Sequence, residues 1–309
     1  EIGSIVSDLE LNNFKSMDEA IYKGEVILDR FDLGSFFEDS AFGNVSFEGE
    51  VDGIGFKAGN RNTKLVGEIY EIKFNEYNYK NISINGLYQN NLFNGKLASN
   101  DVNLTGTFEG LADLSDEINK FDFKATINYA NLSALNLFKR DSISELKGLI
   151  DLDLTGNKFE NIVGIANFKN IIYTNERGIY PFKQFLIFSK IKENIRQIRV
   201  DSEDIIKGEL IGNFKFEELL SLAQNALGSM YSNYTPFEVS IDQFLNFDFV
   251  IYNQIVDVLF PEISVAANTK IKGSIKANEN QLKLKVNSPQ ITAYGTTIDS
   301  LFLDTDNKR

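Results

Sequence analysis

The chain has 309 residues, a net charge of −13, and neither cysteine nor histidine. Without these two residue types it has no thiolate nucleophile, no imidazole base and neither of the two usual soft ligands of zinc. We therefore expect no metal and no cofactor. The excess negative charge argues against a nucleic acid partner, because phosphates would be repelled.

The composition predicts a folded chain. Hydrophobic residues make up 43% of the sequence, charged residues make up 24%, and there are 4 prolines. No apolar run approaches the roughly 20 residues of a membrane-spanning helix, and no secretory signal follows Glu1. If the protein is exported, we expect its targeting segment to lie outside this sequence. The length alone allows two compact domains or one extended one.

The N-terminal part predicts strands separated by one helical turn. Residues 1–20 have a weak pattern that fits a strand or a short helix. Asp32 is placed to cap a helical turn that presents Leu33, Phe36 and Phe37 on one side. Strand alternation then resumes, with apolar side chains at every second position: Val45, Phe47 and Val51.

The stretch from Ile82 to Gly110 alternates apolar and polar side chains, which is the period of a strand with one apolar face. Three glycines, Gly86, Gly95 and Gly106, fall on the apolar side. A glycine in mid-strand gives a core no side chain. Its repetition therefore predicts a sheet that bends, or that leaves room for another molecule on that face.

The turns within this stretch have two interpretations. In the first, the chain reverses at Gln89-Asn90-Asn91 and again at Ser99-Asn100-Asp101, which leaves strands of ordinary length. In the second, Asn85-Gly86 and Asn94-Gly95 are themselves hairpin turns, because Asn-Gly is a strong hairpin signal. We favour the first.

A strand, a short apolar turn and a glycine-bearing strand recur at intervals of roughly a hundred residues, far longer than a solenoid repeat. The apolar turns end at Phe36-Phe37, at Leu137-Phe138 and at Val258-Leu259-Phe260. Segments that cannot close alone should stack in a line. We expect one elongated unit over 1–309, with segments 21–110, 121–215 and 237–303 sharing a continuous apolar surface.

One convincing helix is predicted, over Phe216 to Tyr231. Acidic residues favour its start, and Leu219, Leu222 and Ala226 recur at helical spacing. We expect it to plug or cap one edge of the sheet. A helix on a membrane surface is the alternative, but the polar side lacks the Lys and Arg that such helices favour.

No motif predicts catalysis. Ser144-Glu145-Leu146-Lys147 matches the Ser-x-x-Lys pattern of penicillin-binding enzymes, but the Lys-Thr-Gly and Ser-Asp-Asn motifs that complete the site do not occur. Adjacent acids are predicted to be solvated charges rather than an acid/base pair: Glu38-Asp39, Asp116-Glu117 and Glu217-Glu218. We expect a protein that is not an enzyme.

Three segments resemble the TamB/AsmA-like proteins, in particular the long TamB-like proteins of Bacteroidota. They are the strand Val45 to Val51, the turn Asp32 to Phe37, and the strand Ile205 to Phe214 that leads into the predicted helix. The resemblance covers most of residues 21–303 and rests on a recurrent pattern. It implies a periplasmic cell-envelope protein with no catalytic residues.

In that family a long curled sheet, shaped like a taco, crosses the periplasm toward an outer-membrane Omp85-type partner. Its apolar groove is thought to carry phospholipid acyl chains between membranes, and an inner-membrane anchor, which we expect to lie outside this sequence, holds the full-length protein. The resemblance thus implies phospholipid, the Omp85-type barrel protein and the inner membrane as partners. It also implies a role in outer-membrane biogenesis as part of a translocation and assembly module.

The sequence therefore predicts an all-β fold: an extended, curled antiparallel sheet with an open groove and one or two short helices. Acyl chains would meet the apolar side chains of the strands: Val45, Phe47, Val51, Ile82, Ile84, Leu97, Val102, Leu104, Phe108, Phe123, Ile127, Leu152, Leu154, Leu210, Ile271, Ile275 and Leu284. Two other functions compete. One is a structural scaffold that assists outer-membrane protein assembly without carrying lipid, and the other is a carbohydrate-active or adhesive β protein.

Overall fold

The computed structural model describes residues 3–13, 15–16, 18–37, 40–56, 60–114, 118–158, 160–228, 233–252 and 263–307. Within them the predicted all-β class is confirmed, because 18 strands belong to one open antiparallel sheet. No helix of this part of the chain is long and apolar enough to cross a bilayer. The predicted turn at Val258-Leu259-Phe260 lies outside the described residues, as do the acid pairs Glu38-Asp39 and Asp116-Glu117.

The chain divides into two compact units. Unit 1 comprises Glu1–Asp153 and Phe168–Pro181, and unit 2 comprises Leu154–Asn167 and Phe182–Arg309.

Unit 1 is a meander in which each strand pairs antiparallel with the next. Its strands alternate between a charged or polar side and an apolar side, as half-buried strands do. They are β1 (Ser4–Asn12), β2 (Ile21–Asp32), β3 (Phe42–Ile54), β4 (Asn62–Phe74), β5 (Tyr77–Gln89), β6 (Leu92–Asp101), β7 (Leu104–Asp113) and β8 (Lys120–Asn131). Three further strands contribute residues to both units: β9 (Ser144–Thr155), β10 (Val163–Asn175) and β11 (Gly178–Lys192).

The hairpin turn between β5 and β6 confirms the favoured interpretation. Asn90 and Asn91 have φ values of 48° and 64°, the left-handed conformation that asparagine tolerates in a tight hairpin. Gly86 and Gly95 lie inside strands, opposite each other. The next predicted turn was wrong. Ser99 and Asp101 belong to β6, and the chain turns at Val102 and Asn103.

The predicted helical turn is confirmed as α1 (Leu33–Phe37), between β2 and β3. The Asp32 carboxylate accepts the Ser35 N–H at 3.0 Å and the Ser35 hydroxyl at 2.7 Å. These bonds favour the ionised carboxylate and lower the pKa of Asp32. The same aspartate therefore ends the strand and holds the turn that follows.

Unit 2 continues the antiparallel pairing from β11 onward, with a helical insert between two neighbouring strands. Its strands are β12 (Ile195–Asp201), β13 (Ile206–Asn213), β14 (Phe244–Ile251), β15 (Ile263–Val265), β16 (Thr269–Lys276), β17 (Gln281–Ala293) and β18 (Thr296–Asp306). β14 pairs with β16, while β15 and β18 both pair with β17.

The insert comprises residues 214–243. It contains a 3-10 turn (Phe216–Glu218) followed by α2 (Leu219–Gly228), which covers the described part of the predicted helix. α2 packs on β16 and β17. The helix itself is confirmed, but the prediction that it plugs or caps an edge of the sheet was wrong, because α2 lies on the face of these two interior strands.

Each unit has its own apolar core. In unit 1 the cluster centres on Leu135, which follows β8, and on Ala125 and Ile127 within β8. In unit 2 the cluster joins Leu222 of α2 to Leu245 of β14. The cores are small because they form where a loop or helix folds back on one sheet, rather than between two sheets.

Candidate functional site

Most of the residues at which the sequence predicts lipid contact lie on one side of the sheet of unit 1. We call it the glycine face, because it carries a row of glycines that oppose one another across the strands. Gly49 of β3 lies opposite Gly67 of β4, and Gly95 of β6 lies between Gly86 of β5 and Gly110 of β7. Cross-strand pairing therefore places the glycines together.

The two sides of unit 1 differ in charge. Among the described residues of β2–β8, the apolar side is uncharged except for Asp101, which is buried at the end of β6. The opposite side carries exposed acids on neighbouring strands, including Glu25, Glu48, Glu50 and Glu68. Strict alternation produces this segregation, because successive side chains of a strand point to opposite faces.

The glycines do not leave empty notches in the face. A methyl group built on Gly49 would lie 2.7 Å from the ring of Phe47, and one built on Gly67 would lie 2.8 Å from the same ring. A methyl group on Gly86 would meet the ring of Phe93 at 2.6 Å. The expectation that the glycines keep room for a guest is therefore wrong at these positions. Aromatic rings of the same chain fill the space, which is a known way to protect glycine in a sheet.

Sixteen of the predicted lipid-contacting residues lie within strands, and their burial varies along the face. In unit 1 four of them are buried: Val45, Phe47, Val51 and Ile127. The rest of those in unit 1 are half-buried: Ile82, Ile84, Leu97, Leu104, Phe108, Phe123 and Leu152. In unit 2, Leu154, Leu210, Ile271 and Leu284 are half-buried and Ile275 is buried.

Val102 is the exception among the predicted residues. It lies in the turn between β6 and β7 and is 82% exposed. The sequence predicted Val102 as part of a strand because it stands an even number of residues from Leu104 and Phe108, which lie on the apolar side. The turn falls at this point because Asp101 is held in place by neighbouring groups, which the alternation does not show.

Asp101 belongs to a buried polar cluster that sequence reasoning missed. Its carboxylate accepts hydrogen bonds from the Tyr77 hydroxyl at 2.7 Å, the Lys80 N–H at 2.8 Å and the Asn103 N–H at 2.7 Å. Burial, together with the bond to Asp101, raises the pKa of Tyr77 to about 12. Both groups are satisfied within the chain, so the cluster anchors the ends of β5, β6 and β7 and offers no free acid or base.

A second buried cluster surrounds Asp141, in the loop before β9. Arg140 makes two hydrogen bonds of 2.8 Å to its carboxylate, and Tyr173 and Asn175 of β10 donate two more. The bonds from Arg140 hold the pKa of Asp141 well below its usual range. Ser144, the serine of the Ser-x-x-Lys match, is buried and bonded to the Tyr173 hydroxyl, whereas Lys147 is exposed.

In unit 2 the apolar side is partly covered by the insert. Leu222 and Ala226 of α2 pack with Leu245, Ile275 and Leu282 of the strands. Leu210 and Leu284, both predicted to contact lipid, lie against the margin of this cluster. The helix therefore occupies part of the surface on which the sequence placed acyl chains.

Hydrogen bonds hold the insert in one conformation. The Glu218 carboxylate accepts the Ser240 N–H at 2.6 Å, the Ser240 hydroxyl at 2.8 Å and the Gln243 amide at 2.6 Å. Together these bonds lower the pKa of Glu218 to about 2, and the bond from the Ser240 N–H has the largest effect. The expectation that Glu217 and Glu218 are both solvated is thus wrong for Glu218, because Ser240 and Gln243, which donate to its carboxylate, lie more than twenty residues further along the chain.

A depression of about 480 Å³ lies on the charged side of unit 1. It is lined by Glu48, Glu68, Tyr70, Asn85 and Lys96, among others. The Tyr70 hydroxyl donates to Glu48 at 2.8 Å. In the described part of the chain no group of three or more acidic side chains is placed to hold a metal ion.

The fold and this face define a class of protein: a single-sheet β protein whose strands in unit 1 have one half-buried apolar side that carries no exposed charge in the described residues of β2–β8. No protein-family model, no curated protein and no solved structure matches the chain.

Proposed function

We propose that this protein is a non-enzymatic carrier of phospholipid, with acyl chains lying on the apolar side of the sheet and head groups in solvent. The protein would carry lipid between the inner and outer membranes of a bacterial envelope. The observation that carries the proposal is the half-buried, uncharged face of unit 1. Ile82, Ile84, Leu97 and Phe108 keep part of their surface accessible there, on consecutive strands.

The energetics favour an acyl chain over water on such a surface. Each methylene removed from water is worth about 0.8 kcal/mol. A contiguous apolar surface also marks an interaction site, since soluble proteins rarely leave one exposed without a function. The one charged side chain on the face, Asp101, is already buried, so no exposed ionic group would be desolvated when the acyl chain binds.

The periplasmic location, the Omp85-type partner and the role in outer-membrane biogenesis come from the resemblance to the TamB/AsmA-like proteins. They are part of this proposal. Attachment to the inner membrane is likewise part of this proposal and comes from the same resemblance.

A second candidate is the structural scaffold that assists outer-membrane protein assembly without carrying lipid. Two observations favour it. Aromatic rings fill the space over Gly49, Gly67 and Gly86, and α2 covers part of the apolar side of unit 2. Mass spectrometry of the purified protein distinguishes the two, because co-purified phospholipid supports the carrier and its absence supports the scaffold.

Charge placed on the face tests the carrier directly. We expect Leu104→Asp and Leu152→Arg to abolish the phospholipid that remains bound after incubation with vesicles, while circular dichroism stays that of a β protein. The matched controls are Val102→Asp, two residues away in an exposed turn, and Leu149→Arg, on the opposite side of β9. Equal lipid content in all four variants would contradict the carrier.

A further inference from the structure

The helical insert makes two different kinds of contact. Toward the sheet it presents apolar side chains: Leu222 and Ala226, each 1% exposed, pack with Leu245, Ile275 and Leu282. The polar side chains of Glu218 and Asn225 instead bond within the insert. Glu218 accepts bonds from Ser240 and Gln243, as described above.

Asn225 makes the second set of internal bonds. Its side-chain oxygen accepts the Phe237 N–H at 2.8 Å and the Tyr234 hydroxyl at 2.9 Å, and its amide donates to the Phe237 carbonyl at 2.9 Å. These bonds join α2 to the segment that returns to β14. α2 could therefore leave the strands without breaking the hydrogen bonds of Glu218 and Asn225, since α2 itself meets the strands through the apolar contacts of Leu222 and Ala226. The polar contacts to the rest of unit 2 lie at the ends of the insert: Asp242 bonds to Asn278, and the Arg196 guanidinium lies over the Phe216 ring at 5.1 Å.

An acyl chain offers the strands the same kind of contact as the helix. Leu, Ile and Ala side chains and methylene groups interact with an apolar surface through non-directional burial, so one can replace the other. The strand residues under and beside α2 include Leu210, Ile275 and Leu284, which lie on the same side of unit 2 as the other predicted lipid contacts.

We propose that α2 is a resident plug: it occupies the acyl-chain site of unit 2, and helix and lipid exclude each other there. This inference rests on the proposed carrier function and adds its regulation. Unit 1 binds acyl chains at rest, whereas unit 2 binds them only when the insert has lifted. A site that is open for a tenth of the time binds about ten times more weakly than a permanently open one.

The test uses the full chain with the photo-crosslinking amino acid p-benzoylphenylalanine at position 284, in unit 2, or at position 97, in unit 1. The probe is a phospholipid with a fluorescent acyl chain, supplied in vesicles of phosphatidylethanolamine and phosphatidylglycerol. Leu222→Glu puts a charge on the buried side of α2. Leu220→Glu is its matched control, because Leu220 lies on the same helix and is 70% exposed.

We expect Leu222→Glu to raise the lipid adduct at position 284 by about tenfold, the factor for a plug that is open a tenth of the time. The adduct at position 97 should not change, and Leu220→Glu should match the parent protein at both positions. A locked variant provides the opposite result. Because the chain has no cysteine, Leu222→Cys and Leu282→Cys can be joined by a short bismaleimide, which should abolish the adduct at 284 only.

Two results would overturn the inference that α2 is a plug and leave the proposed carrier function intact. In one, the adduct at position 284 is the same in the parent, Leu222→Glu and locked proteins. In the other, it falls in Leu222→Glu while the adduct at 97 persists, which would make the helix part of the binding surface. No adduct at either position in any variant would overturn the carrier function itself. Thermal unfolding of each variant verifies that it is folded, and the locked variant keeps the test decisive if Leu222→Glu unfolds.

Discussion

Gly95 shows how closely the strands of unit 1 approach on their glycine face. A methyl group built there would lie 2.4 Å from the Gly86 Cα and 2.5 Å from the Asn85 carbonyl oxygen. Both obstacles are backbone atoms of the neighbouring strand, so no side-chain rotation can relieve them. The sequence marks this position only as a glycine on the apolar side, and the reason for it is a contact across the sheet.

Substitution of this glycine tests the contact. We expect Gly95→Val to lower the free energy of unfolding by about 1–3 kcal/mol, the usual cost of overpacking. Urea titration followed by circular dichroism would measure it. Gly178→Ala is the control, because the nearest atoms to its methyl group are 3.9 Å away, on Tyr180. Equal stability of Gly95→Val and the parent would mean that the strands can separate here without cost.

At the scale of the element, the helical insert depends on an ionised carboxylate. Glu218 has a pKa of about 2 in the folded protein, against an ordinary value of 4.5. A group whose pKa is lowered on folding adds stability that is complete above its unfolded pKa and is lost as the pH falls toward its folded pKa. The bonds from Ser240 and Gln243 should therefore weaken between pH 4.5 and pH 2.

The variant Glu218→Gln tests this dependence. We expect it to be less stable than the parent at pH 6, and the difference in unfolding free energy to shrink as the pH falls from 4.5 to 2. Glu217→Gln is the control, because that neighbour is exposed and its variant should follow the parent at every pH. A difference that stays constant over the whole range would show that ionisation of Glu218 does not hold the insert.

At the scale of the whole molecule, negative charge is unevenly distributed along the chain. Unit 1 contains 27 acidic and 16 basic residues, whereas unit 2 contains 17 and 15. Part of this excess forms a row across three strands of unit 1. Glu25 of β2 lies directly opposite Asp8 of β1 and Glu50 of β3. Like charges in directly opposed positions are destabilising.

Charge reversal at Glu25 should relieve this repulsion. We expect Glu25→Lys to raise the unfolding free energy by roughly 0.2–1 kcal/mol at low ionic strength, and the gain to disappear in about 1 M salt. Glu109→Lys is the matched control with the opposite sign, since Glu109 lies between Lys96 and Lys124. If both reversals change stability in the same direction, cross-strand charge is not the cause.

The features that the sequence predicted correctly depend on near neighbours in the chain. Alternation identifies the strands, Asn90-Asn91 identifies a hairpin and Asp32 identifies the α1 cap, because each signal lies within a few residues. The failures depend on distant partners. Asp101 is fixed by Tyr77 and Lys80 of another strand, which moved the next turn to Val102. Ser240 and Gln243, which bond to Glu218, lie beyond the helix, so the sequence alone predicts that Glu218 is a surface charge.

The placement of Phe93 over Gly86 links two residues that are seven positions apart. There the nearest obstacles to a methyl group are two atoms of the ring, at 2.6 and 2.7 Å, and the closest backbone atom is 3.0 Å away. Trimming the ring would therefore make space for a larger residue beneath it. In diverging descendants of this chain, alanine in place of Gly86 and a shorter aliphatic residue in place of Phe93 should therefore arise together. Each substitution should be tolerated chiefly when the other is present.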